Sequence, residues 1–265
     1  MLRDVTLGQY FPGDSPVHRL DPRTKLILII VYIVGLFAAA NWISYAVVIA
    51  VTAACMYIAK INPKSAFRGL KPLIFIIILT ALLNLFYTDG TPIIEGWIIT
   101  WEGIKKAVMM SVRIILLIVG TFLLTYTTSP IALTDGLESL FSPLKKIKFP
   151  VHEMSMMMSM ALRFIPTLIN ETDKIMSAQK ARGADFETGN LVQKAKALLP
   201  ILVPLFVSAF RRADELAVAM ESRCYHGGEG RTRMKVLKMK RADLFAFVLG
   251  AVFVTAIFVL KGMGL

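Results

Sequence analysis

Residues that bind metals or form disulfides are scarce in this 265-residue chain. Its two cysteines, Cys55 and Cys224, cannot supply a disulfide framework, and the three histidines stand singly without metal-ligand spacing. The motif G-x-x-x-x-G-K-[ST] is absent, which excludes a Walker nucleotide-binding loop. The glycines of HGGEGRTR follow no predicted strand and precede no Lys-Ser/Thr pair. The sequence therefore predicts no metal site and no cofactor.

Acidic residues are also few, 18 against 30 lysines and arginines, which leaves a formal net charge of +12. Such an excess can indicate a nucleic-acid partner, but no basic motif interleaved with aromatic residues accompanies it. We therefore predict no nucleic-acid partner. The first residues, MLRDVTLGQYFPG, are polar and interrupted by glycine and proline, so we predict no removable signal peptide.

Apolar residues make up 56% of the chain, and its mean hydropathy is +0.64. Soluble domains contain about 45–50% apolar residues, so the excess indicates a membrane environment. Five stretches approach the roughly 20 residues that a membrane-spanning helix needs. They are 26–40, 45–59, 72–86, 107–126 and 244–260. The sequence predicts an all-α integral membrane protein with about five transmembrane helices and additional cytoplasmic helices.

The basic residues are concentrated in the segments that a cytoplasmic N-terminus would place inside the cell. Residues 1–25, 60–71 and 127–243 hold 26 of the 30 lysines and arginines. This is the distribution expected from the positive-inside rule. We predict a multi-pass cell-membrane protein in the lipid bilayer, with the N-terminus cytoplasmic and the C-terminus outside. The predicted regions are 1–126 with four spans, 127–235 with cytoplasmic helices, and 236–265 with the last span.

Three helices are predicted in the long internal region. Ser129 before Pro130 indicates an N-cap, and a second helix follows Pro150 and ends near Gly183. In the C-terminal half of this second helix the apolar residues form one stripe, and Glu171 lies on the opposite, polar side. A third helix begins around 197–210, an apolar stretch too short to span the bilayer. We expect these helices at the cytoplasmic boundary; a tilted membrane hairpin is the alternative.

The predicted spans are nearly free of ionisable side chains. Arg113 is the exception, and Asn84 is a lesser polar one. An ionisable residue in a span marks a functional site by default, but Arg113 lies about two turns into its helix and could instead extend outward to the interface. Both interpretations stay open. No paired acid and base lies in the spans, so we predict no catalytic residues and no enzyme activity.

A run of methionines opens the second internal helix. These residues could form a soft metal site, but such a site should bring histidine or cysteine with it. Adaptable packing by flexible thioethers is favoured instead. The run comprises Met154, Met156, Met157, Met158 and Met160.

Two arginines flanked by small residues end the two long internal helices. The first motif is Ala181-Arg182-Gly183, and the second, 41 residues later, is Ser222-Arg223-Cys224. A single cation at a helix C-terminus is explained by the helix dipole. The repetition is more informative, because small neighbours let a helix tip enter a groove and a guanidinium binds carboxylates in a fork. The pair predicts two docking points on acidic partners.

With these motifs, and with LDPRTKL (20–26) and the Asn41-Trp42 pair, the chain resembles the transmembrane (T) component of energy-coupling factor transporters. The resemblance covers essentially the whole chain, except that Cys224 stands where glycine is expected. It implies a scaffold without catalysis that couples two ATP-binding cassette ATPase subunits to a membrane-embedded substrate-binding (S) subunit for vitamin or micronutrient uptake. ATP binding would close the ATPases, draw the two helix tips together and tilt the S subunit.

The resemblance also implies site residues. Those that would dock the ATPases are Ala181, Arg182, Gly183, Ser222, Arg223 and Cys224. Those expected at the S subunit are Met154, Met156, Met157, Met158, Met160, Leu202, Leu205 and Phe206.

Three other interpretations remain at this point. The chain could be the T component of a dedicated cobalt or nickel importer. It could be a stand-alone carrier, although such carriers usually show inverted repeats or interrupted spans, and only the prolines near 200 favour one. It could be an intramembrane enzyme, against which the missing acid-base pair argues.

Overall fold

The structure is a computed structural model that describes residues 10–91, 100–186, 190–227 and 237–263. Within these residues it contains nine α-helices and no strand, which confirms the all-α prediction. The helices are α1 (Pro22–Ala38), α2 (Trp42–Ile58), α3 (Pro63–Leu70), α4 (Ile74–Tyr87), α5 (Trp101–Thr127), α6 (Pro130–Phe141), α7 (Val151–Ala181), α8 (Leu191–Glu221) and α9 (Arg241–Gly262). The described residues also include 3₁₀ turns at Lys71–Leu73 and Ser142–Ile147.

The helices belong to two compact units. One includes Leu140–Val236 and therefore contains α7 and α8. The other includes Gly8–Ser139 and Leu237–Leu265, and its helices form a bundle around α5, which packs against α1, α2, α3 and α4.

Helix starts in this chain are set by local capping. Asp21 accepts a hydrogen bond from the backbone N–H of Arg23 at 2.9 Å, and Pro22 occupies the first helical turn of α1. At the start of α6 the hydroxyl of Ser129 accepts from the N–H of Ala132 at 3.3 Å, which confirms the predicted N-cap. Both arrangements satisfy backbone donors that the first turn of a helix leaves open.

The core of the bundle lies where α1 meets α2, α5 and α9. Its buried side chains include Leu36, Val48, Leu116 and Ile257. Gly35 makes the close approach of α1 and α9 possible, because a Cβ there would lie 2.6 Å from Cε1 of Phe253.

A buried polar cluster joins three helix ends at one end of the bundle. The Asp243 carboxylate, 1% exposed, accepts from the N–H of Asp21 at 2.8 Å and from the N–H of Lys240 at 2.7 Å. The Lys25 ammonium donates to the carbonyl oxygen of Thr127 at 2.9 Å. The starts of α1 and α9 therefore lie together beside the end of α5. The N-terminal end of α1 and the C-terminal end of α9 are at opposite ends of the bundle, and which end faces the cytoplasm stays a prediction.

Arg113 joins α5 to the end of α1 and to α2. Its Nε donates to the Tyr45 hydroxyl at 2.9 Å, and an Nη donates to the carbonyl oxygen of Ala39 at 3.0 Å. Its guanidinium also lies 5.7 Å from the ring centroid of Phe37. Because Ala39 follows the last residue of α1, the guanidinium binds one of the carbonyls that a helix end leaves open.

Four helices in the described part of the chain are long and apolar enough to cross a membrane: Pro63–Tyr87, Trp101–Thr127, Val192–Glu221 and Arg241–Gly262. Three of them contain predicted spans. The predicted spans 26–40 and 45–59 correspond to α1 and α2, each 17 residues and therefore about 26 Å long. The length argument against a span near 197–210 was wrong, because this stretch lies within Val192–Glu221, a single helix that is long and apolar enough to cross a membrane.

Candidate functional site

The first arginine motif lies at the C-terminal end of α7. Gly183 has φ +90° and donates its N–H to the carbonyl of Lys180 at 3.0 Å. The N–H of Ala184 donates to the carbonyl of Gln179 at 3.0 Å. These two bonds define a Schellman cap, in which a residue of left-handed conformation closes the helix. Arg182, the residue before Gly183, is exposed at the tip.

The second motif repeats this cap at the end of α8. Cys224 has φ +58° and donates its N–H to the carbonyl of Glu221 at 2.8 Å. The N–H of Tyr225 donates to the carbonyl of Met220 at 3.1 Å. The 41-residue offset seen in the sequence thus holds for each cap hydrogen bond. Arg223 occupies the place of Arg182 and is exposed.

The departure from glycine at 224 has a structural cost. A residue with a Cβ is strained at a left-handed φ, by roughly 1–2 kcal/mol. The small Cys224 side chain is exposed and adopts this conformation, and its carbonyl accepts a hydrogen bond from Nδ1 of His226 at 2.8 Å. The cap geometry therefore survives where the glycine of the first motif is absent.

The helices α7 and α8 pack antiparallel. Glu171 of α7 accepts hydrogen bonds from the hydroxyl of Ser208 and, at 2.7 Å, from the guanidinium of Arg212. Near the end of α7, Nε2 of Gln179 donates to the carbonyl oxygen of Pro200 at 3.3 Å. As α7 proceeds toward its end, its partners therefore lie progressively nearer the start of α8.

This direction places Arg182 and Arg223 at opposite ends of the helix pair. At 1.5 Å per residue, about 16 Å separates Glu171 from Arg182 along α7, and about 20 Å separates the middle of Ser208–Arg212 from Arg223. The two distances extend in opposite directions, so the arginines lie roughly 35 Å apart for antiparallel axes. Both are exposed, and Ala181 and Ser222 beside them are exposed as well.

The position of Glu171 corrects one expectation. We predicted that it lay on the polar side of its helix, opposite the apolar stripe and away from any helix contact. Its side chain is instead only 22% exposed and lies between α7 and α8 with that of Arg212, which is 30% exposed. The prediction was wrong because one helical pattern cannot show that the neighbouring helix carries a serine and an arginine four residues apart at the contact.

An apolar groove of about 370 Å³ runs between α7 and α8. Its walls are methionine, phenylalanine and leucine from α7 and three alanines spaced four residues apart on α8. They are formed by Met156, Met157, Met160, Phe164, Leu168, Ala209, Arg212, Ala213, Leu216, Ala217 and Met220. Since Met220 lies three residues before Arg223, the groove extends toward that tip.

The groove contains only some of the residues predicted at an S subunit. Met156, Met157 and Met160 line it, whereas Met154 and Met158 do not. Three residues of the α8 set also lie outside it: Leu202, Leu205 and Phe206. Sequence reasoning missed the alanines, although a small residue at every fourth position was a readable signal.

Comparisons with known proteins match the chain to transporter proteins over most of its length. The family described as Cobalt transport protein (CbiQ) matches residues 13–234. Three curated relatives carry the name energy-coupling factor transporter transmembrane protein EcfT. The protein from Thermosediminibacter oceani is 56% identical over 93% of this chain and 94% of its own length. Those from Clostridium kluyveri and Bacillus subtilis are 52% and 47% identical, over 96% and 98% of this chain and 96% and 100% of their own lengths.

The chain belongs to the family of transmembrane (T) components of energy-coupling factor transporters. This confirms the resemblance drawn from the two arginine motifs. The T component is a transmembrane part of a transporter and not itself an enzyme, so the interpretation as an intramembrane enzyme is wrong, and so is that of a stand-alone carrier. The match at 13–234 includes both arginine motifs, the groove and all helices of the bundle except α9.

Proposed function

We propose that this T component couples two ATP-binding cassette ATPase subunits to a membrane-embedded S subunit, and that Arg182 and Arg223 are its two ATPase contacts. The observation that carries the proposal is the placement of two exposed arginines on matching helix caps at opposite ends of one helix pair. Tips roughly 35 Å apart are separated by about three helix diameters. We infer that they dock in two separate grooves, as a pair of ATPase subunits would provide.

Each tip suits an acidic groove. Small residues on both sides of each arginine leave the guanidinium as the largest group there, and it offers up to five donors to carboxylates. The two caps also satisfy carbonyls at the helix ends through their own N–H groups, as for Gly183 and Cys224. A partner can therefore pack against either tip without leaving those carbonyls unpaired.

Movement would pass between the tips through the contact at Glu171. This carboxylate binds Ser208 and Arg212, so it connects α7 to α8 about midway between the two arginines. Closure of the ATPases would act on two arms of about 16 and 20 Å and change the angle at which the helices cross. A polar connection there would keep the two helices joined at Glu171 while that angle changes.

The groove between α7 and α8 is the proposed seat of the S subunit. Alanines at every fourth residue allow a helix to approach closely, and the flexible methionines of α7 adapt to different side chains. We propose Met156, Met157 and Met160 as contacts, with Met154 and Met158 at its edge. Leu202, Leu205 and Phe206 would extend the contact along α8. The S subunit would bring the cargo, which we propose to be a vitamin or another micronutrient.

Co-purification with the two cognate ATPase subunits tests the docking proposal. We expect Arg182→Glu and Arg223→Glu each to weaken association, and the double variant to abolish it. Lys174→Glu is the matched control, because Lys174 is exposed on α7 and undergoes the same charge reversal away from the tip. Association of the double variant at the level of Lys174→Glu would disprove the assignment.

A further inference from the structure

The segment that connects α6 to α7 exposes apolar and basic side chains together. Every residue from 141 to 149 is exposed, and we refer to this range as the connecting segment. Ile147 is 80% exposed, and Phe141, Phe149 and Leu144 are 46%, 42% and 38% exposed. The segment also carries Lys145, Lys146 and Lys148 and contains no acidic residue. Four large apolar side chains within nine residues are costly to leave in water.

The local conformation separates these two kinds of side chain. Ser142–Ile147 forms a 3₁₀ turn, in which side chains three residues apart are aligned. Leu144 and Ile147 therefore share one edge, and Phe141 precedes Leu144 by the same interval. Lys145 and Lys146 lie off that edge. The connecting segment is thus amphipathic over a length of about 12 Å, at 2.0 Å per residue.

The connecting segment follows directly on α6, and α6 contacts the start of α1. In the middle of α6, a Cβ on Gly136 would lie 3.0 Å from Cβ of Pro22 and 3.2 Å from Cδ1 of Leu26, so α6 contacts the first turns of α1. Leu26 is the first residue of the apolar stretch 26–40. Phe141, the first residue of the connecting segment, is five positions after Gly136, a distance of at most about 18 Å when the chain is extended. Whatever path the chain takes, the connecting segment begins within that distance of the predicted bilayer boundary.

We propose that the connecting segment docks on the anionic phospholipid surface of the membrane that this chain spans. Phe141, Leu144 and Ile147 would enter the boundary between headgroups and acyl chains. Lys145, Lys146 and Lys148 would contact lipid phosphates, with their stems lying along the apolar layer. The combination of a narrow apolar edge and three lysines, in a segment without an acidic residue, matches such a surface in both polarity and charge.

A site-specific fluorescent label tests the proposal in the full-length chain. Ser142→Cys, in a Cys55→Ser/Cys224→Ser background, carries an environment-sensitive dye without altering the lysines or the apolar edge. The chain is reconstituted into vesicles of phosphatidylcholine with or without phosphatidylglycerol. We expect a nitroxide placed shallowly on the lipid to quench the dye more strongly when phosphatidylglycerol is present. The same dye at Ser177→Cys, an exposed position near the end of α7, is the control and should stay accessible to an aqueous quencher.

Two further variants separate charge from apolar insertion. Lys145→Gln/Lys146→Gln/Lys148→Gln should lose about half or more of the lipid quenching at position 142, because each lysine near an anionic surface contributes attraction. Ile147→Ser should lower quenching in both lipid mixtures. The proposal is overturned if the dye at 142 is as accessible to the aqueous quencher as at 177. Equal quenching with and without phosphatidylglycerol would also overturn it, as would shielding that arises only when the ATPase subunits are added.

Discussion

The Gln179 side chain donates a hydrogen bond to the backbone carbonyl oxygen of Pro200 at 3.3 Å, linking the end of α7 to α8. In a regular helix that carbonyl would accept from the N–H of residue 204, but Pro204 has no N–H to donate. Gln179 therefore binds a carbonyl that Pro204 leaves open. A proline within α8 thus contributes to the contact between the two arginine-bearing helices.

This relationship predicts a coupling between Gln179 and Pro204. Gln179→Leu removes the donor. We expect the free energy of opening at the start of α8 to fall by about 0.5–1 kcal/mol, because the bond is exposed and water can partly replace it. In a Pro204→Ala background the new N–H can bind the Pro200 carbonyl, so the same substitution should cost close to nothing. Amide hydrogen exchange of the start of α8 measures both effects in the purified chain. Equal losses in the two backgrounds would show that Gln179 acts in another way.

The αL residues of the two caps predict opposite responses to substitution. Cys224→Gly should relieve backbone strain and stabilise its cap by about 1 kcal/mol, whereas Gly183→Ala should destabilise the other cap by a similar amount. Hydrogen exchange at Tyr225 and Ala184, whose N–H groups close the caps, reports each change separately. Cys224→Ala is the control, because it removes the thiol and keeps the strain, so its exchange should match that of the parent. Faster exchange in Cys224→Gly would contradict the assignment of strain.

The contact at Glu171 predicts a loss of rigidity between the arginine tips. The ion pair is partly exposed, so we expect Glu171→Gln to cost only about 1 kcal/mol. The larger effect should be on how firmly the distance between the ends of α7 and α8 is held. Spin labels at Ser177→Cys and Ser222→Cys, with the two native cysteines replaced by serine, should give a broader distance distribution in Glu171→Gln than in the parent. ATP-driven uptake by the assembled transporter should fall while ATP hydrolysis continues.

Glu215→Gln supplies the matched control for that experiment. Glu215 is an exposed carboxylate on α8 outside the contact, so its substitution makes the same chemical change without touching Ser208 or Arg212. Its distance distribution and uptake should match those of the parent. An unchanged distribution in Glu171→Gln would refute the role of this carboxylate in holding the helices.

Features governed by neighbouring residues could be predicted from the sequence. The apolar stretches indicate the membrane helices, Ser129 indicates the start of α6, and Gly183 indicates the end of α7. Each depends on hydropathy or on bonds between residues a few positions apart. The equivalence of the two arginine motifs is local in the same sense, since each cap is closed within six residues. For this reason the 41-residue repeat in the sequence recurs in the backbone.

Features that depend on a second helix could not be predicted in this way. Glu171 belongs to a polar face by periodicity, and only the approach of Ser208 and Arg212 turns that face inward. Proline usually interrupts a helix, yet α8 contains Pro200 and Pro204. Gln179 binds the Pro200 carbonyl that Pro204 leaves without a helical partner, and no pattern within α8 predicts this contact. The antiparallel direction that separates Arg182 from Arg223 likewise follows from these contacts and from no local pattern.

Arg113 offers a test between a structural and a transport role. Arg113→Met leaves the Tyr45 hydroxyl and the Ala39 carbonyl without their partner. We expect the free energy of unfolding to fall by about 2–3 kcal/mol, because hydrogen bonds to charged groups contribute more than neutral ones. Arg113→Lys keeps the charge, but an ammonium cannot reach both acceptors as the branched guanidinium does. The loss of unfolding free energy should therefore be intermediate. Thermal unfolding of the purified chain ranks the variants. Uptake per folded transporter should be unchanged in Arg113→Lys, and a variant with normal thermal stability but no uptake would establish a transport role instead.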